Sequence, residues 1–216
     1  MKEIIRKNFA FLLPWLLFVL LGVILFSFYQ KNDIHIYLNQ LHNKFCNYFF
    51  YYVTYAGDGI AAAIIVFILL FVQYRFALLV AAANIFSSLC TQGLKHLVYD
   101  DMLRPKKYFE GVYELNFVPG VENYYYNSFP SGHATTAFAT FFCLALCTGN
   151  KFIKLICFFT ALTIGFSRVY LSQHFLNDVY AGSLIGVIVS ILVYRFIILN
   201  EKLNKKHWME KSLLIQ

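Results

Sequence analysis

The chain of 216 residues carries an apolar run from Phe9 to Tyr29 without a single charged residue. A bilayer-spanning helix needs about 20 such residues, so this run alone predicts a membrane helix. The composition agrees, with 60% hydrophobic and 13% charged residues, whereas soluble domains average roughly 45–50% and about 25%. An intrinsically disordered chain would need low hydrophobicity and high charge. We therefore predict an all-α, polytopic membrane protein and exclude a soluble globule.

Further apolar runs extend this prediction to six transmembrane helices in one membrane domain, residues 1–216. The predicted spans are 9–29, 59–72, 76–97, 134–148, 152–171 and 179–199, and the second begins somewhat earlier, within an aromatic stretch. Residues 31–56 mix charged side chains with dense Tyr and Phe, which predicts a segment lying in the membrane interface. Residues 200–216 form a basic tail.

The distribution of charge predicts the orientation. Six spans place both termini on one side, and cytoplasmic loops carry an excess of Lys and Arg. With cytoplasmic termini, the inner segments hold eleven basic and three acidic residues, and the outer segments hold seven basic and eight acidic residues. The net charge of +7 is thus explained by membrane topology, and no nucleic-acid partner is needed.

Three groups of polar residues then fall on the outer side of the membrane. They are Lys95 with Arg104-Pro105, the segment Pro130-Ser131-Gly132-His133, and the set Ser167, Arg168, His174 and Asp178. Taken singly, each has an ordinary explanation, such as a snorkelling lysine or a helix cap. Charged groups beside apolar segments are costly and usually functional, so their convergence on one side predicts a single site.

These residue types suit a phosphate ligand. Lys95, Arg104 and Arg168 would donate to non-bridging oxygens, the two arginines through planar forks that capture anions bidentately. Ser131 is placed to cap the fourth span, and Gly132 lets backbone N–H groups approach an anion at that helix N-terminus.

The histidines supply the chemistry. His174 and Asp178 are four residues apart, so one helical turn would place the carboxylate behind the imidazole and leave its far nitrogen nucleophilic. A second imidazole, His133, could donate a proton to the departing oxygen. The other histidines, which we predict to be interfacial or solvated, are His35, His42, His96 and His207.

Together the three groups resemble the signature of the type 2 phosphatidic acid phosphatase superfamily, which includes bacterial acid phosphatases and vanadium haloperoxidases. The second and third groups match in order, with 33 residues between His133 and Ser167. The first departs from the pattern, because Lys95 and Arg104 are separated by eight residues, more than the family usually has. The resemblance covers about residues 57–195 and fits the membrane branch of the family.

The resemblance implies a role for each of these residues. His174 would form a phosphohistidine with Asp178 as its partner, and His133 would protonate the leaving group. Lys95, Arg104, Ser131, Gly132 and Arg168 would hold the phosphate. No metal or other cofactor is implied. The five cysteines are an odd number without a C-x-x-C pair, so we interpret them as small hydrophobic residues.

The expected function is a metal-independent phosphatase acting on a lipid-linked phosphate or pyrophosphate. Phosphatidylglycerol phosphate, undecaprenyl pyrophosphate, phosphatidic acid and lipid A phosphate would present the same group to this site. We expect a bacterial inner membrane protein whose site faces the periplasm. The alternatives are a vanadium haloperoxidase-like enzyme and a non-catalytic lipid-phosphate binder or transporter.

Overall fold

The computed structural model describes residues 2–200 and 207–214, and within these ranges the chain is helical without any strand. The α-helices are α1 (Lys2–Lys7), α2 (Phe9–Phe28), α3 (Lys31–Asn39), α4 (Lys44–Val53), α5 (Gly59–Leu70), α6 (Tyr74–Leu97), α7 (Pro105–Tyr108), α8 (Gly132–Leu146), α9 (Lys151–Tyr170) and α10 (Leu176–Ile197). Short 3₁₀ turns occupy Thr54–Gly57 and His207–Glu210. The predicted all-α class is confirmed.

Four helices in the described part of the chain are long and apolar enough to cross a membrane: α2, α6, α9 and α10. A fifth crossing would combine Lys44–Gly57 with Gly59–Val72, two segments bent by 59° about Asp58. If this bent pair is one crossing, the second predicted span begins in the aromatic stretch, as a broken helix. The structure thus provides four or five candidate crossings, and the count of six spans stays a prediction.

The fourth predicted span is a short helix at the centre of the bundle. Helix α8 has 15 residues, roughly 22 Å at the usual rise, whereas the hydrocarbon core is about 30 Å thick. It packs against α6, α9 and α10, and its Phe138 and Phe142 side chains are fully buried. Since neighbouring helices cover it, the bilayer thickness does not set its length.

Two glycines of α10 let that helix approach α8 closely. A Cβ atom on Gly182 would lie 2.6 Å from the carbonyl oxygen of Ser131, and one on Gly186 would lie 2.7 Å from that of Thr135. Small residues spaced by four along a membrane helix allow this kind of backbone contact. The second and third turns of α10 are thereby held against the beginning of α8.

The predicted interfacial segment contains the amphipathic helices α3 and α4. Helix α3 covers the loop after α9, where His35 Nε2 lies 3.2 Å from Ser172 Oγ. The His35 ring stacks on Phe109 and meets Phe175 edge to face. His35 is not solvated, contrary to one of the two predicted settings, because its side chain is 1% exposed. This burial lowers the pKa of His35 to about 4, so the imidazole is neutral at physiological pH.

Both described terminal segments lie at one end of the bundle. Lys154 in the first turn of α9 donates to the Lys7 carbonyl at 2.7 Å, and the N–H of Tyr74, where α6 begins, donates to the Lys211 carbonyl at 2.9 Å. Lys95 and Arg168 occupy the last turns of the same two helices, at the opposite end. Of the predicted tail 200–216, residues 201–206 and 215–216 lie outside the described residues.

Candidate active site

The three sequence groups meet at the end of the bundle away from the termini. The N–H of Ser131, at the start of α8, donates to the carbonyl of Asp178 in α10 at 3.0 Å. The Arg104 Nη1 atom donates to the carbonyl of Gln173, next to His174, at 3.0 Å. Lys95 reaches the same region through the carbonyl of Asn127, at 2.8 Å.

His174 and Asp178 form a buried pair, with side chains 1% and 2% exposed. The Nδ1 atom of His174 lies 3.4 Å from Oδ2 of Asp178, which is longer than an ordinary hydrogen bond. The same oxygen accepts from Ser128 Oγ at 2.5 Å and from the N–H of Phe175 at 2.9 Å. These two donors and the first turn of α10 fix the carboxylate beside the imidazole.

The surroundings of His174 keep its imidazole neutral. Burial is the largest cause lowering its pKa well below the usual range, and the positive charges of Arg104, Lys95 and Arg168 lower it further. A neutral imidazole has a free lone pair on one nitrogen. Because Nδ1 faces the carboxylate, Nε2 is the atom left to act as a nucleophile.

Three cations surround this histidine and are almost inaccessible to solvent. Lys95, Arg104 and Arg168 are 7%, 9% and 8% exposed. Within the described residues none of them forms an ion pair; their hydrogen bonds go to neutral groups, such as the Thr54 hydroxyl at 2.6 Å from Arg168 Nη1. Burying unpaired charge is costly. Three such cations close together therefore indicate that this site binds an anion.

The turn at the start of α8 adds backbone donors to this region. Ser131 is the N-cap of the helix, as predicted, and its hydroxyl accepts from the N–H of Ala134. A Cβ atom added at Gly132 would meet no other heavy atom within 4 Å. A helix N-terminus with an unobstructed backbone is a favourable place for an anion.

The structure adds Asp58, which the sequence analysis did not single out. Its Oδ1 atom lies 2.7 Å from Nε2 of His133. The signal in the sequence is a single acid between Gly57 and Gly59, immediately before an apolar run. Its pairing with His133 could not be predicted, because 74 intervening residues separate the two.

Two further residues missed by the sequence analysis support the cations. Gln173, 1% exposed, accepts from Arg168 Nη2 through its side-chain oxygen at 3.3 Å and from Arg104 through its carbonyl. Its amide nitrogen donates to the Glu122 carbonyl at 2.7 Å. Gln173 thus links both arginines to the long loop before α8.

Comparison with known proteins decides the family. Residues 76–202, more than half of the chain, match the model of the PAP2 superfamily. The chain belongs to the PAP2 superfamily. The resemblance recognised in the sequence is confirmed, and His133, Arg168, His174 and Asp178 all lie within the matched PAP2 region.

The similarity to one individual PAP2 protein covers a shorter part of the chain than the family match does. The chain is 33% identical over 87 residues to phosphatidylglycerophosphatase B of Bacillus subtilis, covering 36% of this chain and 41% of that relative. The chain therefore matches about two-fifths of the length of that protein.

Solved PAP2 structures share the fold. LpxE of Aquifex aeolicus has a TM-score of 0.68 at 24% identity, covering 76% of this chain and 93% of that one. A transmembrane PAP2-type phosphatidylglycerolphosphate phosphatase from Bacillus subtilis has a TM-score of 0.63 at 22% identity, covering 93% and 99%. At these identities the likeness shows the fold alone.

Across residues 2–200 and 207–214, no group of three or more His, Cys, Asp or Glu side chains could hold a metal ion. The five cysteines, all described, are free thiols. The positive charges that act on His174 in the structure are those of Arg104, Lys95 and Arg168.

Proposed function

We propose that the protein is a membrane phosphatase that hydrolyses a lipid-linked phosphate or pyrophosphate through a phosphohistidine on His174. The observation that carries the proposal is the neutral, buried His174, backed by Asp178 and surrounded by three buried cations that have no ion-pair partner among the described residues. A phosphoryl group would satisfy those cations. The same group would present its phosphorus atom to the nucleophilic nitrogen.

The first half of the reaction transfers the phosphoryl group to the protein. Nε2 of His174 attacks phosphorus, and the bond from phosphorus to the leaving oxygen breaks. His133 gives its proton to that oxygen. Lys95, Arg104, Arg168 and the backbone at Gly132 hold the three non-bridging oxygens, whose charge they stabilise in the transition state.

The second half regenerates the protein. His133, now neutral, takes a proton from a water molecule whose oxygen attacks phosphorus. The bond between phosphorus and Nε2 of His174 breaks, and inorganic phosphate leaves. The carboxylate of Asp178 stabilises the positive charge that His174 carries while it is phosphorylated. The site needs no metal in this mechanism, because its cations already supply the positive charge.

The substrate class follows from the membrane setting. Phosphatidylglycerol phosphate is the first candidate, because the curated Bacillus subtilis relative is named for that lipid. Undecaprenyl pyrophosphate, phosphatidic acid and lipid A phosphate present the same phosphoryl group and belong in the same panel. The side chains of Asp58 and His133 are 37% and 28% exposed, whereas that of His174 is 1% exposed.

We further propose six spans, cytoplasmic termini and a site that faces the periplasm of a bacterial inner membrane. Two observations support this orientation. The described terminal segments lie at the end of the bundle opposite to the site, and the predicted inner segments carry most of the basic residues.

Phosphate release from the four lipids by purified protein in detergent tests the proposal. We expect turnover of at least one lipid, and none after His174→Ala. The matched control is Glu114→Gln, which changes an exposed carboxylate in the loop before α8 and should retain full activity. Binding of the lipids without phosphate release would favour the binder or transporter. Bromide oxidation by vanadate-loaded protein, without phosphatase activity, would favour the haloperoxidase.

A further inference from the structure

We propose that Asp58 is a positioning residue for His133, which holds one imidazole nitrogen so that the other delivers the proton to the leaving group. This inference rests on the proposed phosphatase function. Asp58 belongs to none of the three sequence groups. It enters the site from a different part of the chain, the start of α5.

The contact between the two side chains is short and specific. Oδ1 of Asp58 lies 2.7 Å from Nε2 of His133, the length of a charge-assisted hydrogen bond. A carboxylate can only accept, so Nε2 must carry the hydrogen. Since Nε2–H is held by Asp58, we assign the proton that goes to the leaving group to Nδ1.

The backbone around Asp58 holds the carboxylate in place. A Cβ atom on Gly57 would lie 2.7 Å from Ile164 Cγ2 and 3.3 Å from His133 Cβ. Only a glycine therefore lets this turn pack so closely against α8 and α9. Asp58 also precedes α5 as its N-cap residue in extended conformation, so its position is set at the bend between the two halves of the broken helix.

The charge of Asp58 is as important as its position. His133 must be protonated before it can donate, yet burial, followed by the positive charges of Arg168, Arg104 and Lys95, lowers its pKa to about 3. Asp58 supplies the opposing negative charge, and it also acts electrostatically on Arg168. An opposite charge at this distance favours the protonated form of an imidazole.

The proton balance follows from this arrangement. In the first half, the proton on Nδ1 moves to the leaving oxygen as its bond to phosphorus breaks, and Nε2–H stays bonded to Asp58. In the second half, Nδ1 recovers a proton from the attacking water as the bond between phosphorus and His174 breaks. Asp58 remains a carboxylate throughout, and it touches neither the substrate nor the phosphorus atom.

The test compares two substrates in the intact protein. Asp58→Asn keeps the size of the side chain but removes its charge. On a short-chain phosphatidic acid, whose alkoxide needs the proton, we expect kcat to fall by about 10- to 100-fold, part of the roughly 10²–10⁴-fold that a general acid contributes. On nitrophenyl phosphate, whose leaving group needs little help, we expect a change of less than about threefold.

Three comparisons make the result decisive. Asp58→Glu should recover part of the lost activity, whereas Glu114→Gln should lose none. Combining Asp58→Asn with His133→Ala should be no slower on phosphatidic acid than His133→Ala alone, because Asp58 acts only through the proton transfer that His133→Ala already removes. Retained turnover of nitrophenyl phosphate shows that each variant is folded.

Equal losses on both substrates, or additive losses in the double variant, would overturn the role of Asp58. A wild-type protein that released phosphate from no substrate would instead overturn the proposed function. The two failures are thus distinguishable.

Discussion

Lys95 and Arg104 donate to the same atom, the carbonyl oxygen of Asn127, at 2.8 and 3.4 Å. Asn127 has a φ of 57°, a left-handed conformation that asparagine adopts more readily than most residues. The eight residues between Lys95 and Arg104, more than the family usually has, do not keep the two cations apart. The loop before α8 returns to the end of α6 and brings both side chains to one point.

Replacing Lys95 should therefore weaken catalysis. Lys95→Met keeps most of the side-chain volume but removes one cation from the phosphoryl group. Loss of one donor to a developing negative charge typically costs about 10²–10³-fold, so we expect a fall of this order in kcat/KM. Vanadate, measured as a competitive inhibitor, should also bind more weakly. Unchanged values of both would show that Lys95 only anchors the loop at Asn127.

The two histidines should respond differently to the leaving group. His174→Ala removes the nucleophile and should abolish turnover of every substrate. His133→Ala removes a proton donor, so it should lose about 10²–10⁴-fold on a lipid monophosphate but far less on nitrophenyl phosphate. Steady-state rates on both substrates measure this difference. Two equally inactive variants on nitrophenyl phosphate would contradict the division of roles.

Activity should be independent of added metal. The cations Lys95, Arg104 and Arg168 already surround the site, so turnover should survive excess EDTA. Vanadate should inhibit, because its five-coordinate form resembles the transition state. Loss of phosphatase activity in chelator, with recovery on addition of magnesium or zinc, would contradict the mechanism.

Stability should fall in acid partly because of His35. Its pKa is about 4 when folded and 6.5 otherwise, so between these values the unfolded chain binds a proton that the folded chain refuses. The free energy of unfolding therefore decreases as the pH falls from 6.5 to 4, by up to about 3 kcal/mol from this residue.

His35→Gln should reduce this dependence. Thermal unfolding in detergent at pH 7 and pH 4.5 provides the measurement, with His96→Gln, a substitution outside the described packing of α3, as the control. We expect a smaller shift in Tm for His35→Gln than for the wild type. An identical shift in the two proteins would show that His35 is not the group that titrates.

The proposed orientation predicts where fused reporters function. A reporter that is active only in the cytoplasm should work when fused after Gln216, because the inner segments carry the basic excess. The same reporter inserted within residues 112–123, in the loop before α8, should be silent. The reverse pattern would invert the topology and contradict a site that faces the periplasm.

Several features could be predicted from the sequence because they depend on local patterns. Apolar runs indicate the helical class. The close spacing of His174 and Asp178 in the chain keeps the two residues near each other, but the predicted shared helical turn is wrong, because His174 precedes α10, which begins at Leu176. The capping role of Ser131 depends only on the residues beside it. The length of α8 and the burial of His35 were not predictable, since both depend on which helices cover these segments.

The sequence by itself determined that this chain is an all-α membrane protein of the PAP2 superfamily, and it identified eight candidate site residues through their order and spacing. Only the tertiary structure decided that Asp58 pairs with His133, that Gln173 links both arginines, and that Lys95 and Arg104 converge on Asn127. The reason is physical. Residue type and periodicity act over a few residues, whereas these contacts join segments far apart in the chain, and the packing of α5, α6, α8 and α9 brings them together.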